Sequence, residues 1–288
     1  NFYIPALKSL NISPVIFVDK NIDSAKKCAK KFRASQALSS IENNYEKFNE
    51  AIITLPNTLH YSFAKELINK GKNLLIEKPL TSNSFESAEL MTIADNNNVV
   101  VICGNMRRQL RSAKFIKKII SNKTLGNVIS FKCREGGVFN WPIQSESFWK
   151  KDFSGGGVLL DQGIHMCDLI RLFTGDYDEI HSFISNEYWK HDVEDNAFAL
   201  MRNKKGQVAM LHSTATQWQH RFRIEIILKE ALLELTGILS GTPTNSDSQQ
   251  YFNVLITATD SGGVSSTQGF AISYPIPNTP IIINKIII

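Results

Sequence analysis

Short runs of β-branched and aromatic residues alternate with helical segments over the first part of the sequence. The runs are SPVIFVDK, EAIITLPN, NLLIEKPL and VVVICGN, and amphipathic segments such as HYSFAKELINKGK separate them. Strands that alternate with helices at this spacing predict a parallel sheet wound by crossover helices. Ligands of such sheets bind at the carboxyl ends of the strands. The residues that end the predicted strands are Asp19, Pro56, Asn57, Glu77, Lys78 and Asn105.

The pattern changes after Asn105. The predicted strands become longer, and NKKGQ at residues 203–207 is a hairpin signal. A helical stretch from Asp161 to Thr174 interrupts the strands and is expected to pack across their sheet. From Gly241 onward the sequence is rich in Ser, Thr, Gly and Pro. We therefore predict three parts: an α/β domain with a parallel sheet over 1–105, an α+β domain with an open, mostly antiparallel sheet over 106–241, and a foreign-looking β-rich tail over 242–288.

Composition excludes several classes of protein. The 288 residues carry a net charge of +5, and the lysines are scattered along helical segments, which is typical of solvated helices and not of a nucleic-acid-binding stripe. No run of about eighteen apolar residues is present, so we expect neither a membrane span nor a secretion signal. Because the cysteines are far apart, we expect a reducing, cytoplasmic location and no metal site. They are Cys28, Cys103, Cys133 and Cys167.

The stretch GGGVLLDQGIHMCDLIRLFTG, residues 155–175, places an imidazole between two carboxylates. Asp161 and His165 are four residues apart, and His165 and Asp168 are three apart, so a helix would carry all three on one face. The glycines allow the backbone to approach another group closely, and Gly175 is expected to end the helix. Taken alone, the stretch fits a core helix with a capping Asp and a satisfied His equally well.

The pentapeptide IEKPL, residues 76–80, is a candidate partner for that stretch. Lys78 stands at the end of a predicted parallel strand, where a cofactor would lie, and Pro79 fixes the backbone there. Glu77 is a candidate ion partner for Lys78. Taken alone, the two residues are better explained as a surface Glu–Lys pair at a strand end. The glycine-led stretch downstream makes that explanation hard to sustain.

Asp19 follows the first predicted strand. In a sheet that binds a dinucleotide, a carboxylate in this position accepts hydrogen bonds from the 2′- and 3′-hydroxyls of the ribose and repels a 2′-phosphate. It therefore favours NAD over NADP, although Lys20 beside it weakens that preference. The alternative is a turn residue that precedes the helix at Ile22.

Five motifs together resemble the glucose–fructose oxidoreductase / inositol dehydrogenase (Gfo/Idh/MocA) family. They are PNTLH, GKNLLIEKPL, GNMRR, GGGVLLDQGIHMCD and VEDNAFAL, and the resemblance runs from about Asn1 to about Gly241. It implies a Rossmann-like α/β domain that binds NAD(P) and a second domain that presents an open sheet to a sugar, a cyclitol or a sugar nucleotide. The implied reaction is the oxidation of a secondary hydroxyl by hydride transfer to the nicotinamide.

The resemblance also implies residue roles. His165 takes the hydroxyl proton as general base, Lys78 stabilises the developing alkoxide, and Asp161 holds a neighbouring hydroxyl or orients the imidazole. The roles of Lys78 and His165 are exchangeable within the family. The expected cofactor-binding residues are Asp19, Pro56, Asn57, His60, Glu77 and Lys78. The expected substrate-binding residues are Lys78, Arg108, Asp161 and His165.

Two features depart from the family pattern. The sequence contains no G-x-G-x-x-G, and NFYIPALKSL resembles the helix that follows this fingerprint. We therefore expect that about twenty-five residues, with the first strand and the phosphate-binding turn, are missing. The tail resembles the closing strands of a cadherin-like or immunoglobulin-like repeat, and its final run, INKIII, is apolar enough to fill the slot of that strand. An impaired enzyme is the expected consequence.

Two other functions stay open. The same fold serves as a non-catalytic sugar- or nucleotide-sensing protein in some members, although a sensor needs no general base. An NAD-dependent glycosidase would use the same transient oxidation but would need further acid–base groups. Because the family frequently pairs subunits through the open sheet, we expect a homodimer or a tetramer.

Overall fold

The computed structural model describes residues 3–123, 125–138, 149–237, 253–260, 265–271 and 285–287. The chain divides into two compact units, residues 1–104 with 274–288 and residues 105–273. The helices are α1 (Tyr3–Ser9), α2 (Ile22–Phe32), α3 (His60–Asn69), α4 (Ser84–Asn96), α5 (Arg111–Asn122), α6 (Lys151–Ser154) and α7 (Ile164–Thr174). Among these described helices, none is long and apolar enough to cross a bilayer.

The described strands alternate with these helices in the first unit and are mostly consecutive in the second. They are β1 (Pro14–Val18), β2 (Gln36–Leu38), β3 (Glu50–Ile53), β4 (Asn73–Ile76), β5 (Val101–Cys103), β6 (Val128–Val138), β7 (Glu179–Ser185), β8 (Asn196–Arg202), β9 (Val208–Thr214), β10 (Thr216–Leu228), β11 (Ala231–Gly237), β12 (Asn253–Asp260), β13 (Ser265–Ala271) and β14 (Lys285–Ile287). This element order confirms an α/β unit followed by an α+β unit.

The first unit is built around a parallel sheet. Its strand order within the described residues is β2-β1-β14-β3-β4-β5, and each neighbouring pair is parallel. The four runs that the sequence predicted as strands form β1, β3, β4 and β5. β2 lies in a stretch where the sequence predicted no strand, because its three residues are too few for a periodic signal.

The central strand of this sheet comes from the end of the sequence. β14 lies between β1 and β3, with Ile286 opposite Ile16 and Ala51. In the dinucleotide-binding order 3-2-1-4-5-6, this is the place of strand 1. The expectation that the apolar run INKIII fills this slot is therefore confirmed by the strand order, and β1 and β3 are joined through backbone hydrogen bonds to β14.

Both faces of the first sheet are buried, as expected for a parallel sheet with crossover helices. Neighbouring residues on a strand point to opposite faces. On β1, Ile16 packs with residues of α3 and α4, and Phe17 packs with residues of α1 and α2. The fully buried members of the α3–α4 cluster include Ile53, Leu67, Ile68, Ile76 and Leu90.

The second unit contains a mixed sheet. Its order within the described residues is β13-β12-β11-β10-β6-β9-β8-β7, and β6 and β9 form the one parallel pair of this series. The expectation of a mostly antiparallel sheet is confirmed. α5 and α7 pack on one face. The buried cluster there includes Ile116, Phe131, Met166, Leu169, Ile170, Leu211 and Ile224.

The hairpin predicted at residues 203–207 joins β8 to β9. The Asn203 N–H donates to the Gln207 carbonyl over 3.1 Å. Gly206 has a φ of +78°, a conformation that glycine adopts without strain. The turn chemistry read from the sequence therefore sets the register of this pair of strands.

Residues 242–288, expected as one tail, contribute strands to both units. β12 pairs with β11, and β13 pairs with β12, both antiparallel. β14 joins the first sheet instead. Within the described residues, the tail thus adds two strands to the edge of the second sheet and one strand to the middle of the first.

Candidate active site

The first unit places Lys78 just beyond the carboxyl end of β4. That strand ends at Ile76, and the Glu77 N–H still donates to the carbonyl of Ile53 on β3 over 2.9 Å. The Lys78–Pro79 peptide is cis, and Lys78 is half-buried. The structure therefore puts Lys78 at the strand end where the sequence predicted it.

The Glu77 carboxylate holds the turn that carries Lys78. Its Oε1 accepts the hydroxyl of Tyr3 over 2.7 Å, and its Oε2 accepts the Lys78 N–H over 3.0 Å. Burial and the bond to Glu77 raise the pKa of Tyr3 well above its usual value, so this hydroxyl remains a donor. Gly104 packs against the same turn, since a Cβ there would lie 3.1 Å from the Tyr3 hydroxyl oxygen. Glu77 is thus fixed by α1 and by the backbone of its neighbour.

His60 lies between the turns that follow β3 and β4. Its side chain is buried, with 0% of the residue exposed, and its Nδ1 is 2.7 Å from the carbonyl oxygen of Pro79. Its Nε2 is 2.9 Å from the carbonyl oxygen of Leu55. The ring therefore links the turn after β3 to the turn after β4. These two contacts hold both turns in place, and a contact between His60 and a cofactor stays a prediction.

The other residues expected to bind the cofactor lie along the carboxyl edge of the sheet. Asp19 follows β1 and is exposed, and its Oδ1 accepts the Asn21 N–H over 2.8 Å. Pro56 is exposed and Asn57 is half-buried in the turn after β3. Because β1, β3 and β4 are parallel, their carboxyl ends and the residues that follow them share one edge.

In the second unit, the residues around Asp161 form a π-helical turn. This turn spans Leu159–Gly163, and the α-helix begins at Ile164, so the expectation of an α-helix that starts at Asp161 is wrong. The helix ends at Thr174, and Gly175 follows with a φ of +89°, as predicted. Short π-helical turns occur frequently at functional sites.

Asp161 and His165 lie on either side of the junction between the π-helical turn and α7. Asp161 is half-buried, and its N–H donates to the Gly157 carbonyl over 3.0 Å. His165 is buried, with 8% of its surface exposed. Gly163 between them packs on β9, where a Cβ would lie 3.2 Å from the Cβ of Ser213. Glycine at this position lets the segment lie close to the strand that supports it.

The glycine run approaches the backbone of Glu194, a residue that the sequence analysis did not single out. A Cβ on Gly157 would lie 2.1 Å from the Glu194 carbonyl oxygen, so only glycine fits there. The Glu194 carboxylate accepts the N–H of Gly157 over 2.8 Å and the N–H of Leu159 over 3.0 Å. The sequence contained one signal for this contact: Glu194 is an acid of the motif VEDNAFAL, and the N–H groups at the start of a helix need acceptors.

We expect Gly157→Ala to destabilise the second unit by about 3 kcal/mol, because the added carbon overlaps the Glu194 backbone. The matched control is Gly156→Ala, whose Cβ would meet the side chain of Leu160 at 3.2 Å. Because that side chain can move, the control variant should lose little stability. Urea unfolding followed by tryptophan fluorescence compares the two variants, and equal midpoints would contradict the close approach.

Arg108 and Asp168 form an ion pair within the second unit. Arg108 Nε donates to Asp168 Oδ2 over 2.8 Å, and a second bond joins Arg108 Nη2 to Asp168 Oδ1. Asn105 Nδ2 donates to the same Oδ1 over 3.3 Å. This two-point contact ties the segment after β5 to α7, one turn beyond His165. Asp168 is thus engaged with Arg108, and a contact between Arg108 and a substrate stays a prediction.

A second ion pair attaches the same segment to the sheet. Arg107 donates through both of its Nη atoms to the carboxylate of Glu135 on β6, which is buried. The guanidinium also lies over the Phe222 ring, 5.2 Å from its centroid. Both arginines of GNMRR therefore anchor this segment. In the described ranges, no group of three or more His, Cys, Asp or Glu side chains is arranged to hold a metal ion.

Fold and site together define a class of protein. A parallel sheet with the strand order of a dinucleotide-binding fold carries Asp19 and Lys78 at its carboxyl edge. An α+β unit carries Asp161 and His165 at the start of a helix that packs on its sheet. The class that this architecture defines is a dinucleotide-binding domain followed by an α+β domain.

Comparison with protein families identifies the group more closely. Residues 3–105 match the oxidoreductase family GFO/IDH/MocA, NAD-binding Rossmann fold, and residues 114–234 match the GFO/IDH/MocA C-terminal domain. The chain belongs to the GFO/IDH/MocA oxidoreductase family. Residues 232–275 match an Ig-domain family, which confirms the immunoglobulin-like character expected of the tail.

Individual relatives are oxidoreductases. Oxidoreductase P35 of Formosa agariphila is 30% identical over 166 residues, which are 56% of this chain and 51% of that protein. Levoglucosan dehydrogenase of Pseudarthrobacter phenanthrenivorans is 24% identical over 192 residues, which are 64% of this chain and 48% of that protein. The chain therefore spans about half the length of these curated relatives.

Solved structures show the same fold. A mutant of KijD10, a 3-ketoreductase from Actinomadura kijaniata in complex with TDP-benzene and NADP, superposes with a TM-score of 0.75. The match is 18% identical and covers 93% of this chain and 79% of that one.

Proposed function

We propose that the protein is an NAD(P)-dependent dehydrogenase that oxidises a secondary hydroxyl of a sugar, a sugar nucleotide or a cyclitol. One observation carries the proposal. Lys78 stands at a strand end of the unit that matches the family's NAD-binding domain. In the unit that matches the family's C-terminal domain, Asp161 lies in the π-helical turn before α7 and His165 lies in the first turn of α7. The levoglucosan dehydrogenase among the relatives supports a carbohydrate substrate.

The residues of this site can divide the work of alcohol oxidation. His165 takes the proton of the substrate hydroxyl, because imidazole is the side chain best suited to proton transfer near neutral pH. Lys78 of the first unit has the role of stabilising the negative charge that develops on the substrate oxygen. Asp161 holds a neighbouring hydroxyl or orients the His165 ring, and the roles of Lys78 and His165 can exchange. A bound nicotinamide supplies the hydride acceptor.

The carboxyl edge of the first sheet fits the ribose and nicotinamide parts of a dinucleotide. Asp19 is exposed just beyond β1, where a carboxylate suits ribose hydroxyls, and Lys78 stands beyond β4.

We expect the chain to prefer NAD⁺ over NADP⁺, and we expect Asp19→Ser to reduce this preference about 10-fold. The carboxylate repels a 2′-phosphate, and its loss removes about 1.4 kcal/mol of discrimination. Asp23→Ser is the control, since this acid is on α2 and its side chain is 87% exposed. Calorimetric titration with both nucleotides gives the ratio of dissociation constants. An unchanged ratio in Asp19→Ser would contradict the assignment.

The second candidate function is a non-catalytic sensor of a sugar or a nucleotide. The retention of Lys78, Asp161 and His165 favours the dehydrogenase, because a sensor needs no general base. A panel of sugars and cyclitols with NAD⁺ separates the two: a dehydrogenase forms NADH and a ketone, whereas a sensor binds and forms neither. An NAD-dependent glycosidase would release a sugar without accumulating NADH.

We propose further that a second copy of the chain covers the open face of the second sheet. Phe183, Phe198, Leu200 and Met210 are 42% to 79% exposed. The register puts Phe183 opposite Phe198 and Leu200 opposite Met210, so all four share one face. An exposed apolar patch of this kind marks an interaction surface.

Sedimentation equilibrium tests this assembly. We expect a homodimer or a tetramer at micromolar concentration and a monomer for Phe198→Asp, since a charge on this face would have to be desolvated on association. Phe85→Asp is the control, because Phe85 is 86% exposed on the other unit. A monomeric parent chain would contradict the proposal.

A further inference from the structure

The backbone N–H groups of residues 157–159, which lead into the π-helical turn before α7, are bonded to a residue from another part of the chain. The Glu194 carboxylate accepts the Gly157 N–H through Oε2 over 2.8 Å and the Leu159 N–H through Oε1 over 3.0 Å. Between them, the Val158 N–H donates to the Glu194 carbonyl over 3.1 Å. Three successive N–H groups at the start of the helical segment are therefore bonded to one residue. A carboxylate is the favoured acceptor there, because the helix N-terminus carries partial positive charge.

The position of Glu194 is itself fixed by its neighbour. Asp195 is buried, with 2% of its surface exposed, and its Oδ2 accepts the N–H groups of Tyr188 and Trp189 over 2.9 and 3.1 Å. The Asp195 N–H donates to the Ser185 carbonyl over 2.9 Å, and the Ala215 N–H donates to the Asp195 carbonyl over 2.7 Å. The backbone that presents Glu194 is thus held between the ends of β7 and β9.

The turn is also held from the sheet. Ser213, which has 0% of its surface exposed, donates through Oγ to the Val158 carbonyl over 3.0 Å. Gln162 Nε2 donates to the Thr214 carbonyl over 2.9 Å. The position of Gly157 also fixes the backbone of Asp161, because the Gly157 carbonyl accepts the Asp161 N–H over 3.0 Å. A continuous series of bonds therefore runs from Glu194 through Gly157 to Asp161.

We propose that Glu194 is a positioning residue for the segment that carries Asp161 and His165. The inference rests on the proposed function for its catalytic consequence, while the contact itself can be tested without turnover. Loss of the carboxylate frees the N–H groups of Gly157 and Leu159, and the turn that places Asp161 relaxes. Nucleotide binding should not change, because Asp19 and Lys78 belong to the other unit.

The variants are Glu194→Ala and Glu194→Gln, with Glu187→Gln as the control, since Glu187 is an exposed acid in the same loop region. Glu194→Gln keeps the shape and one acceptor and so retains a folded protein even if the alanine variant does not. Amide hydrogen exchange is expected to accelerate about 10- to 100-fold at Gly157 and Leu159 in Glu194→Ala. It should stay unchanged at Leu169 and Ile170 in the helix interior. Sodium formate should restore protection in the alanine variant, because formate can occupy the vacated N–H pair.

Kinetics separate positioning from general structural support. In an active parent chain, Glu194→Ala is expected to lower kcat about 10-fold or more with the KM for nucleotide unchanged, and formate should recover part of kcat. Unchanged exchange at Gly157 and Leu159 would overturn the contact. Altered exchange with an unchanged kcat would overturn the positioning role. A folded parent chain without turnover contradicts the proposed function. In that case, hydrogen exchange and formate rescue still test whether the Glu194 carboxylate protects the N–H groups of Gly157 and Leu159.

Discussion

Replacement of His165 by alanine is expected to lower the rate of NADH formation by about 10²- to 10⁴-fold, the usual contribution of a general base. Binding of the nucleotide should stay near the parent value, since His165 belongs to the second unit and the strand-end residues belong to the first. The effect should appear in kcat, because the general base assists proton transfer in the transition state and does not contribute to binding of the ground state. Stopped-flow measurement of NADH formation with a substrate from the sugar panel gives kcat directly.

A matched control distinguishes loss of the base from loss of a histidine in general. His181→Ala removes an imidazole that is 72% exposed on β7 and contacts Glu179. This control should turn over at the parent rate. NADH formation by His165→Ala at the parent rate would show that another group takes the proton, and Lys78→Ala would then be the variant to lose activity.

The second large effect is expected from the C-terminal strand. Ile286→Pro should destabilise the first unit by about 3 kcal/mol or more, because proline removes a ladder N–H from a strand that has a neighbour on each side. β1 and β3 would then face an unfilled slot, with exposed N–H and C=O groups along both edges. Urea unfolding measures the loss of stability, and dinucleotide affinity should fall with it.

Ile286→Val is the control for this substitution. Valine is β-branched and keeps the N–H, so the strand should persist with a small loss of stability. Hydrogen exchange supplies a direct check on the parent chain, where the amides of β1 and β3 should be protected by their bonds to β14. Unprotected amides at residues 285–287, with Ile286→Pro as stable as the parent, would contradict the observed strand order.

Local sequence patterns were sufficient for much of the fold. β1 and β4 are short apolar runs that end at a polar residue, and that pattern predicted both the strands and the placement of Asp19 and Lys78 at their ends. The Asn203–Gln207 turn was readable for the same reason, since hairpin chemistry is contained in a few adjacent residues. The end of α7 at Gly175 is another local signal.

Contacts between distant residues were not readable from such patterns. Glu194 meets the glycine run across 37 positions of sequence, so spacing within GGGVLLDQG could show that something approaches but not what it is. The π-helical turn at Leu159–Gly163 contains Gly163, which packs on Ser213, and a helical period does not encode this contact with a distant strand. The two contacts of the His60 ring with the carbonyl groups of Leu55 and Pro79 were likewise not predicted.

Titration of the chain with NAD⁺ by calorimetry tests the central claim most directly, that the first unit binds a nicotinamide dinucleotide with β14 in its central slot. Measurement at two temperatures guards against a binding enthalpy that happens to be near zero at one of them, because apolar burial gives binding a heat-capacity change. The expected result is saturable binding with one site per chain. A folded chain that gives no binding heat at either temperature would contradict the assignment of this unit as a dinucleotide-binding domain.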